Sequence, residues 1–462
     1  MARAPQVPPA EPDARQLAME LGHLIPYSFL GMFAIGVLTP CSQYIGLDFF
    51  AQRHTSLGPH EIQCEIDMSA PHCGAAVLDA NRVIMVLSLV TPAVQFLLVP
   101  ALGVACDAWG RRPLLIACNV LCMLPGLAAS SFVFFNTSMY WYYVLAPFTS
   151  NPFTNMSLTS TVCYMMVMDL IRHAPSRAAG LGLLEAACAV GLLAGTCVGS
   201  FLAMRQALQL ALAVFGLDLA YVVLLVPESL PASRRQQVFT LRAFVPGVEL
   251  GILWRNGMLR RLTLLITLTG AVDAGFARIG PLYLQRHMAW NARDSYAGSM
   301  ASSLSTIVFL GLLLEPVTAR LGEVGALALG RLASFLFGLG FFFSGRTWQV
   351  VALYALCSGP IAFALPAVAG LKSRMVAESE QGVMQAALTA VYGAACSSGV
   401  LAFGALFDAA PGDAAGGLGD KVVVLALICA SLPIFLVIHG LPAEAKRSGL
   451  GGAAAGPPEP PV

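Results

Sequence analysis

Charged residues are scarce in this sequence: they make up 11% of the 462 residues, against about 25% in a typical soluble domain. Apolar residues make up 57%, so the composition excludes an ordinary water-soluble protein. The net charge of +1 gives no sign of a nucleic-acid partner. The sequence lacks a GxxxxGK(S/T) loop, which argues against ATP-driven chemistry. No nucleophile–base pair or metal-ligand spacing falls in an apolar run, so we expect no enzyme, catalytic residue, metal or cofactor.

Long apolar runs fill most of the chain. A helix needs about 20 apolar residues to cross a bilayer. Runs of this length lie at 23–46, 83–106, 113–135, 139–168, 178–204, 207–226, 262–284, 296–319, 324–344, 347–370, 381–407 and 421–441. The sequence therefore predicts an all-α, multi-pass integral membrane protein with twelve transmembrane helices. The plasma membrane and the endomembranes are not distinguished.

The basic residues predict the orientation in the bilayer. With the amino terminus placed in the cytoplasm, seventeen Lys and Arg residues fall inside and six fall outside, as the positive-inside rule requires. Both termini are then cytoplasmic, and the loop 47–82 faces the outer side. The first twenty residues are polar and acidic, so we expect the run at 23–46 to be a helix and not a cleaved signal peptide.

A basic segment at 227–261 separates the first six apolar runs from the last six. We expect a cytoplasmic tail at 1–22, a six-helix bundle at 23–226, a cytoplasmic linker at 227–261, a second bundle at 262–441 and a disordered tail at 442–462. Arg320-Leu-Gly322 weakly repeats the pattern around Gly110, which favours two pseudo-symmetric bundles.

A charged motif lies between the second and third apolar runs: Gly103-Val-Ala-Cys-Asp107-Ala-Trp-Gly110-Arg111-Arg112-Pro113. It resembles the motif Gly-x-x-x-Asp-Arg-x-Gly-Arg-Arg between helices 2 and 3 of major facilitator superfamily transporters. Ala108 departs from it, because that family usually has a basic residue there. The resemblance implies the major facilitator fold, a small-molecule substrate and a cytoplasmic gate formed by Gly103, Asp107, Gly110, Arg111 and Arg112.

Three further segments narrow the resemblance. The segment from Asp169 to Glu185 is similar to the helix 4–5 region of proton-coupled folate transporters and their tetracycline-antiporter relatives. Val226-Pro-Glu-Ser-Leu230 resembles the end of helix 6 in the hippocampus-abundant-transcript group, and Arg374 to Gln385 resembles the turn into helix 11 of all three groups. These similarities imply a secondary transporter coupled to protons.

Glu185 is the first candidate proton carrier, a role that the folate-transporter resemblance implies. It lies about seven residues, or roughly 10 Å, into a predicted span. An ionised acid at a span centre costs about 2.5 to 3.5 kcal/mol on insertion scales, so this carboxyl needs a function or a partner. The alternative is that Glu185 pairs with an arginine such as Arg331 to hold the structure together.

Asp273 is the second candidate, because it lies near the middle of the run at 262–284. We predict proton coupling or substrate binding for it, with structural pairing as the alternative. Arg278 is five residues further along and about 140° around the helix, so a direct pair between the two is not expected. Arg278 and Arg331 are predicted either to attract an anionic substrate or to neutralise these acids.

Three glycines four residues apart, Gly191, Gly195 and Gly199, predict close packing against another helix. An alternative is an antiporter signature in which Thr196 replaces a proline. In the outer loop, Cys64 and Cys73 predict a disulfide, with a solvated cap as the alternative, because the nearby His and Cys spacing fits no zinc pattern.

Together these features predict a secondary active transporter of a small organic solute that works by alternating access, with protons and the lipid bilayer as its other partners. The alternative is a non-transporting receptor or trafficking scaffold built on the same fold.

Overall fold

The structure, a computed structural model, describes residues 19, 21–56, 62–145, 158–171, 174–231, 235, 250–255, 257–364, 367–368, 371, 381–410, 419 and 421–441. Within these ranges, some side chains at 88–107, 158–182 and 381–390, and those at 252 and 315, are not described. The α-helices are α1 Leu24–Ala51, α2 Pro71–Trp109, α3 Arg111–Phe135, α4 Tyr140–Leu145, α5 Leu158–Leu170, α6 Ala174–Gly199, α7 Met204–Leu224, α8 Gly257–Met288, α9 Ala292–Val308, α10 Leu314–Phe343, α11 Thr347–Ala362, α12 Gln381–Ala409 and α13 Lys421–His439.

The described residues contain eight helices that are long and apolar enough to cross a membrane. Two shorter apolar helices, Leu183–Gly199 and Thr347–Ala362, lie at two further predicted spans. The expectation of an all-α, multi-pass membrane protein is therefore confirmed, whereas the count of twelve spans stays a prediction.

Local sequence explains where several helices begin and end. Asn291 caps α9, because its Oδ1 accepts from the Asp294 N–H at 3.0 Å while Asp294 Oδ2 accepts from the Asn291 N–H at 3.3 Å. Asn136 ends α3 in the left-handed conformation, with φ 50°. A π-helical turn, Phe309–Leu313, follows α9.

The chain divides into two compact units. The first unit comprises Met1–Thr39 and Leu97–Pro246, and the second comprises Pro40–Phe96 and Gly247–Val462. Buried Leu, Val, Met and Cys side chains from α1, α3, α5 and α7 form a core in the first unit. Leu, Ile and Ala side chains from α8, α10, α12 and α13 form one in the second. Because these units divide the chain at other points, the domain boundaries at 226 and 262 stay a prediction.

The two glycines aligned by the weak repeat have the same unusual backbone conformation. Gly110 has φ 102° and ψ 165°, and Gly322 has φ 70° and ψ 176°. Side chains rarely tolerate a positive φ with an extended ψ, so both positions favour glycine. At Gly322 the helical dihedrals of α10 are interrupted, which separates the apolar runs at 296–319 and 324–344.

Glycines also bring helix backbones together within each unit. A Cβ on Gly191 or Gly195 of α6 would overlap the carbonyl oxygens of Phe29 and Phe33 of α1. In the second unit, a Cβ on Gly399 of α12 would overlap the carbonyl oxygen of Ala271 of α8. Small residues at these positions let two helices approach closely.

Candidate functional site

A carboxylate caps the helix that follows the charged motif. Glu228 accepts hydrogen bonds from the backbone N–H groups of Arg111, at 2.8 Å, and Arg112, at 3.3 Å. These are the first two residues of α3, whose N–H groups have no acceptor within the helix. Arg235 lies 3.5 Å from the same carboxylate. The positive φ of Gly110 favours glycine, and a Cβ there would also displace Glu228 Oε2 from its position.

Arg111 contributes its side chain to the same cluster. Its Nε donates to Asp169 Oδ2 at 3.0 Å, and the Arg111 side chain is only 8% exposed. Asp169 Oδ2 also accepts from the Ser229 hydroxyl at 3.1 Å. Arg112 turns to the end of α7, where it donates to the Val223 carbonyl oxygen. The cluster therefore connects the start of α3 with the ends of α5 and α7.

Three of the five predicted gate residues, Gly110, Arg111 and Arg112, lie in this cluster. The surroundings of Gly103 and the side chain of Asp107 lie outside the described residues. Their roles in gating stay predictions.

An ion pair joins two helices in the second unit. Arg331 Nη1 on α10 lies 2.8 Å from Asp273 Oδ1 and 2.6 Å from Oδ2 on α8. The Arg331 side chain is 9% exposed, whereas that of Asp273 is 38% exposed. The carboxylate of Asp273 is therefore paired with Arg331 and still partly accessible. Arg278 is also on α8 and is partly buried.

Glu185 in the first unit is hydrogen-bonded to a tyrosine, whereas the sequence suggested an arginine such as Arg331 as its partner. The Tyr164 hydroxyl of α5 donates a hydrogen bond to Glu185 Oε1 of α6. Glu185 is exposed, and Arg331 forms its ion pair with Asp273. A neutral donor leaves the charge of Glu185 uncompensated in this contact, in contrast to the Asp273 pair.

A third intramembrane acid, Asp218 of α7, is far more buried. It is 1% exposed, and its Oδ2 accepts a hydrogen bond from Asn119 Nδ2 of α3 at 2.8 Å. From the sequence, Asp218 is a weaker candidate than Glu185 or Asp273, because it lies nearer the predicted cytoplasmic end of its run at 207–226. Its burial could not be predicted, since it depends on α1 and α3, which are distant in sequence.

The predicted outer loop is fastened at one point. Cys64 and Cys73 form a disulfide with a Cα–Cα distance of 5.7 Å. The Cys64 N–H donates to Asp48 Oδ1 of α1 at 2.9 Å. His72 lies beside the two sulfurs, but cysteines joined in a disulfide do not provide the thiolates that bind zinc.

Two acids in this loop have opposite environments. Burial raises the pKa of Glu65 above its usual value. Hydrogen bonds from the Ser69 hydroxyl and N–H lower the pKa of Asp67 below its usual value.

Polar contacts also tie α2 to α12 in the second unit. Asn81 Nδ2 donates to the Gly404 carbonyl oxygen at 3.0 Å and to Asp408 Oδ1 at 2.9 Å. Arg82 lies 3.4 Å from Asp408. In the same unit, the hydroxyl of Tyr44 of α1 donates to the Trp290 carbonyl oxygen at 2.8 Å. In the predicted orientation, these helix ends lie on the outer side.

Sequence reasoning gave no role to four of the residues in these contacts: Asp169, Glu228, Asn119 and Asp408. Asp169 and Glu228 lie in the segments that carried the family resemblance, so a signal was present. Asn119 and Asp408 had no such signal, since each is a single polar residue inside or at the end of an apolar run.

Comparison with known proteins agrees with this arrangement of helices. A model of the Major Facilitator Superfamily matches residues 28–400. Hippocampus abundant transcript-like protein 1 of Bos taurus is 24% identical over 322 residues, which cover 68% of this chain and 62% of that protein. Tetracycline resistance protein, class C, of Escherichia coli is 29% identical over 324 residues, which cover 68% of this chain and 77% of that protein.

Solved structures show the same fold. The human organic anion transporter MFSD10 (TETRAN) superposes with a TM-score of 0.61 at 16% identity, over 93% of this chain and all of that chain. The nucleoside transporter NupG superposes with a TM-score of 0.61 at 14% identity, over 91% of this chain and 98% of that chain. At these identities the likeness extends to the fold alone.

The resemblance to tetracycline-antiporter and hippocampus-abundant-transcript proteins is therefore confirmed, whereas that to proton-coupled folate transporters stays a prediction. The match over residues 28–400, the helical membrane fold and the charged motif around Gly110 lead to one conclusion: this chain belongs to the Major Facilitator Superfamily.

Proposed function

We propose that the protein is a secondary active transporter of a small organic solute, that it is coupled to protons and that it works by alternating access. The observation that carries the proposal is the Asp273–Arg331 pair, a half-exposed carboxylate and a buried guanidinium on two membrane-spanning helices. Ionisable residues at this depth are costly and mark substrate or proton pathways.

Arg331 is the residue that we propose binds an anionic group of the substrate. A guanidinium has five N–H donors, and Nη1 serves Asp273. Within the described residues, Nε is buried without an acceptor. An anion that competes with Asp273 for this guanidinium would couple substrate binding to the state of the carboxyl group.

Glu185 is the proposed proton carrier of the first unit. Its side chain is exposed within α6 and accepts a hydrogen bond from the neutral hydroxyl of Tyr164, a contact that supplies no positive charge. Asp107, Arg111 and Arg112 are proposed to gate the cytoplasmic side, in keeping with the cluster that Arg111 forms with Asp169.

The names of the relatives favour export or exchange of organic compounds as the chemical setting. The class C relative is a tetracycline resistance protein, and one structural neighbour is an organic anion transporter. The chain spans 62% of the hippocampus-related protein from Bos taurus, so its substrate is not carried over from that relative.

The experiment has two stages. Metabolites are first compared between cells with and without the protein, at two external pH values. A compound whose cellular level differs between cells with and without the protein is then tested in proteoliposomes. The two assays are uptake driven by a pH gradient and counterflow at equal pH.

We expect Glu185→Gln to abolish gradient-driven accumulation while counterflow survives, and Asp273→Asn to weaken both. Asp67→Asn, in the outer loop, is the matched control and should behave as wild type. A protein that moves no compound in either assay is a receptor or scaffold, which is the competing function. Normal accumulation by Glu185→Gln would assign the proton to another group.

A further inference from the structure

Asp218 occupies a closed pocket of the first unit. It lies within α7, a helix apolar enough to span a membrane, and is 1% exposed. Asn119 of α3 donates to its Oδ2 at 2.8 Å. A Cβ at Gly31 would lie only 3.4 Å from that same oxygen, so the backbone of α1 covers the carboxyl group. Three helices therefore exclude water from one acid.

The groups that face Asp218 do not supply a positive charge. Among the described residues they are Tyr27 on α1, Cys122 on α3, Cys163 on α5 and Tyr221 on α7 itself. Across the ranges that the structure describes, no Arg, Lys or His forms an ion pair with this carboxyl group. An ionised carboxylate buried without a cation is costly, and such groups take up a proton instead.

Hydrogen bonding leads to the same conclusion independently. Among the described residues, Asp218 Oδ1 and Asn119 Oδ1 are both buried without a hydrogen-bond partner. An ionised carboxylate only accepts hydrogen bonds, whereas a protonated one also donates. A proton on Asp218 would therefore provide a donor in a pocket that has an unused acceptor, and native structures satisfy most buried polar atoms.

We propose that Asp218 is a proton-binding site, held by Asn119 and closed by α1, and that it carries a proton at neutral pH. The site is additional to Glu185 and Asp273. Opening of the packing around α1, α3 and α7 would admit water, and the proton would leave Asp218 for that water. Only this last step, the release during a transport cycle, rests on the proposed function.

Infrared spectroscopy of the full chain in lipid bilayers tests the occupancy directly, because a protonated carboxyl group has a C=O stretching band that a carboxylate lacks. Protein labelled with ¹³C at the aspartate carboxyl carbon is compared with unlabelled protein at pH 7. We expect an isotope-shifted band from a protonated aspartic acid. Asp218→Asn should remove one carboxyl group from it, and the exposed control Asp67→Asn should leave the band unchanged.

No isotope-shifted carboxylic-acid band in the wild-type protein would overturn the proposal without any mutant. So would a band of undiminished intensity in Asp218→Asn. Asp48, in the second unit, is also buried, at 6% exposed, and could contribute to the same band. Its contribution is measured with Asp48→Asn and subtracted. If Asp218→Asn does not fold, Asn119→Ala serves, because loss of the 2.8 Å partner should shift the Asp218 band. An unshifted band would assign the proton elsewhere.

These readings do not depend on transport. A protein that transports nothing but shows the band loses the proposed function and keeps the proton site. A protein that transports but lacks the band loses only the site.

Discussion

Arg331 reaches both carboxylate oxygens of Asp273 through a single nitrogen, Nη1, at 2.8 and 2.6 Å. The two residues are 58 positions apart, on α10 and α8, and α8 also packs closely against α12. The pair therefore fixes the rotation of two helices about their own axes as well as balancing a charge.

The first prediction follows from this pair. Asp273→Ala leaves Arg331 buried without its countercharge, so the midpoint of thermal unfolding in detergent should fall. Removing one partner of a fully buried pair costs about 3 to 5 kcal/mol, and the 38% exposure of Asp273 reduces our expectation to about 1 to 3 kcal/mol. The double variant Asp273→Ala/Arg331→Met should recover part of the loss, and additive losses would mean that the pair is not coupled.

The second prediction concerns the cap of α3. Glu228→Ala removes the acceptor of two backbone N–H groups and should lower the free energy of unfolding by about 0.5 to 2 kcal/mol. Gly110→Ala should be worse, because its φ of 102° is unfavourable for alanine and its Cβ would overlap Glu228. Gly74→Ala, where no atom lies within 4 Å of the new Cβ, is the control. If Gly110→Ala were as stable as Gly74→Ala, position 110 would not need glycine.

The third prediction concerns helix contact. Gly195→Ala forces the Phe33 backbone away from α6 and should cost about 1 to 3 kcal/mol, as overpacking does. The control is Gly216→Ala on α7, which meets no atom within 4 Å and should be neutral or slightly stabilising. Yield of monodisperse protein after size-exclusion chromatography compares the two, and a normal Gly195→Ala profile would refute the close packing.

The fourth prediction concerns the disulfide. Cys64→Ser/Cys73→Ser opens a loop with a sequence separation of 9, which should cost about 2 to 3 kcal/mol in the chain-entropy account. Cys429→Ser, an exposed free cysteine, should leave the unfolding midpoint unchanged. Mass spectrometry after alkylation of denatured, unreduced protein should find residues 64 and 73 unmodified, and alkylation of both would rule the bond out.

The fifth prediction is a pH dependence in the outer loop. The pKa of Glu65 is raised in the folded protein, so above the usual value of 4.5 the folded state holds more proton than the unfolded state and stability falls as pH rises. Glu65→Gln should remove this fall, and its unfolding midpoint relative to wild type should increase from pH 4 to pH 7. Asp67→Asn should act in the opposite sense, because its lowered pKa favours folding above the usual value of 3.8. Parallel pH curves for Glu65→Gln and wild type would exclude the effect.

The sequence was sufficient to locate most of the described helices and the turn at Gly110, because long apolar runs and a Gly-Arg-Arg turn have few alternatives in a membrane protein. It was not sufficient to assign partners. Glu228 lies 117 residues from Arg111, and Asn119 lies 99 residues from Asp218. In a bilayer, lipid and protein core are both apolar, so the hydrophobic pattern does not determine which face of a helix turns inward. Only the folded structure decides whether an acid such as Asp273 meets a cation.

The glycine contacts restrict how each unit deforms. Where Gly195 meets Phe33 and Gly399 meets Ala271, no side chain separates the two backbones, so rotation of either helix would turn a larger residue against the facing backbone. We therefore expect α1 and α6, and likewise α8 and α12, to move together as rigid pairs. Any bending within a unit is left to helices whose contacts are made by longer side chains, which can change rotamer as the backbone moves.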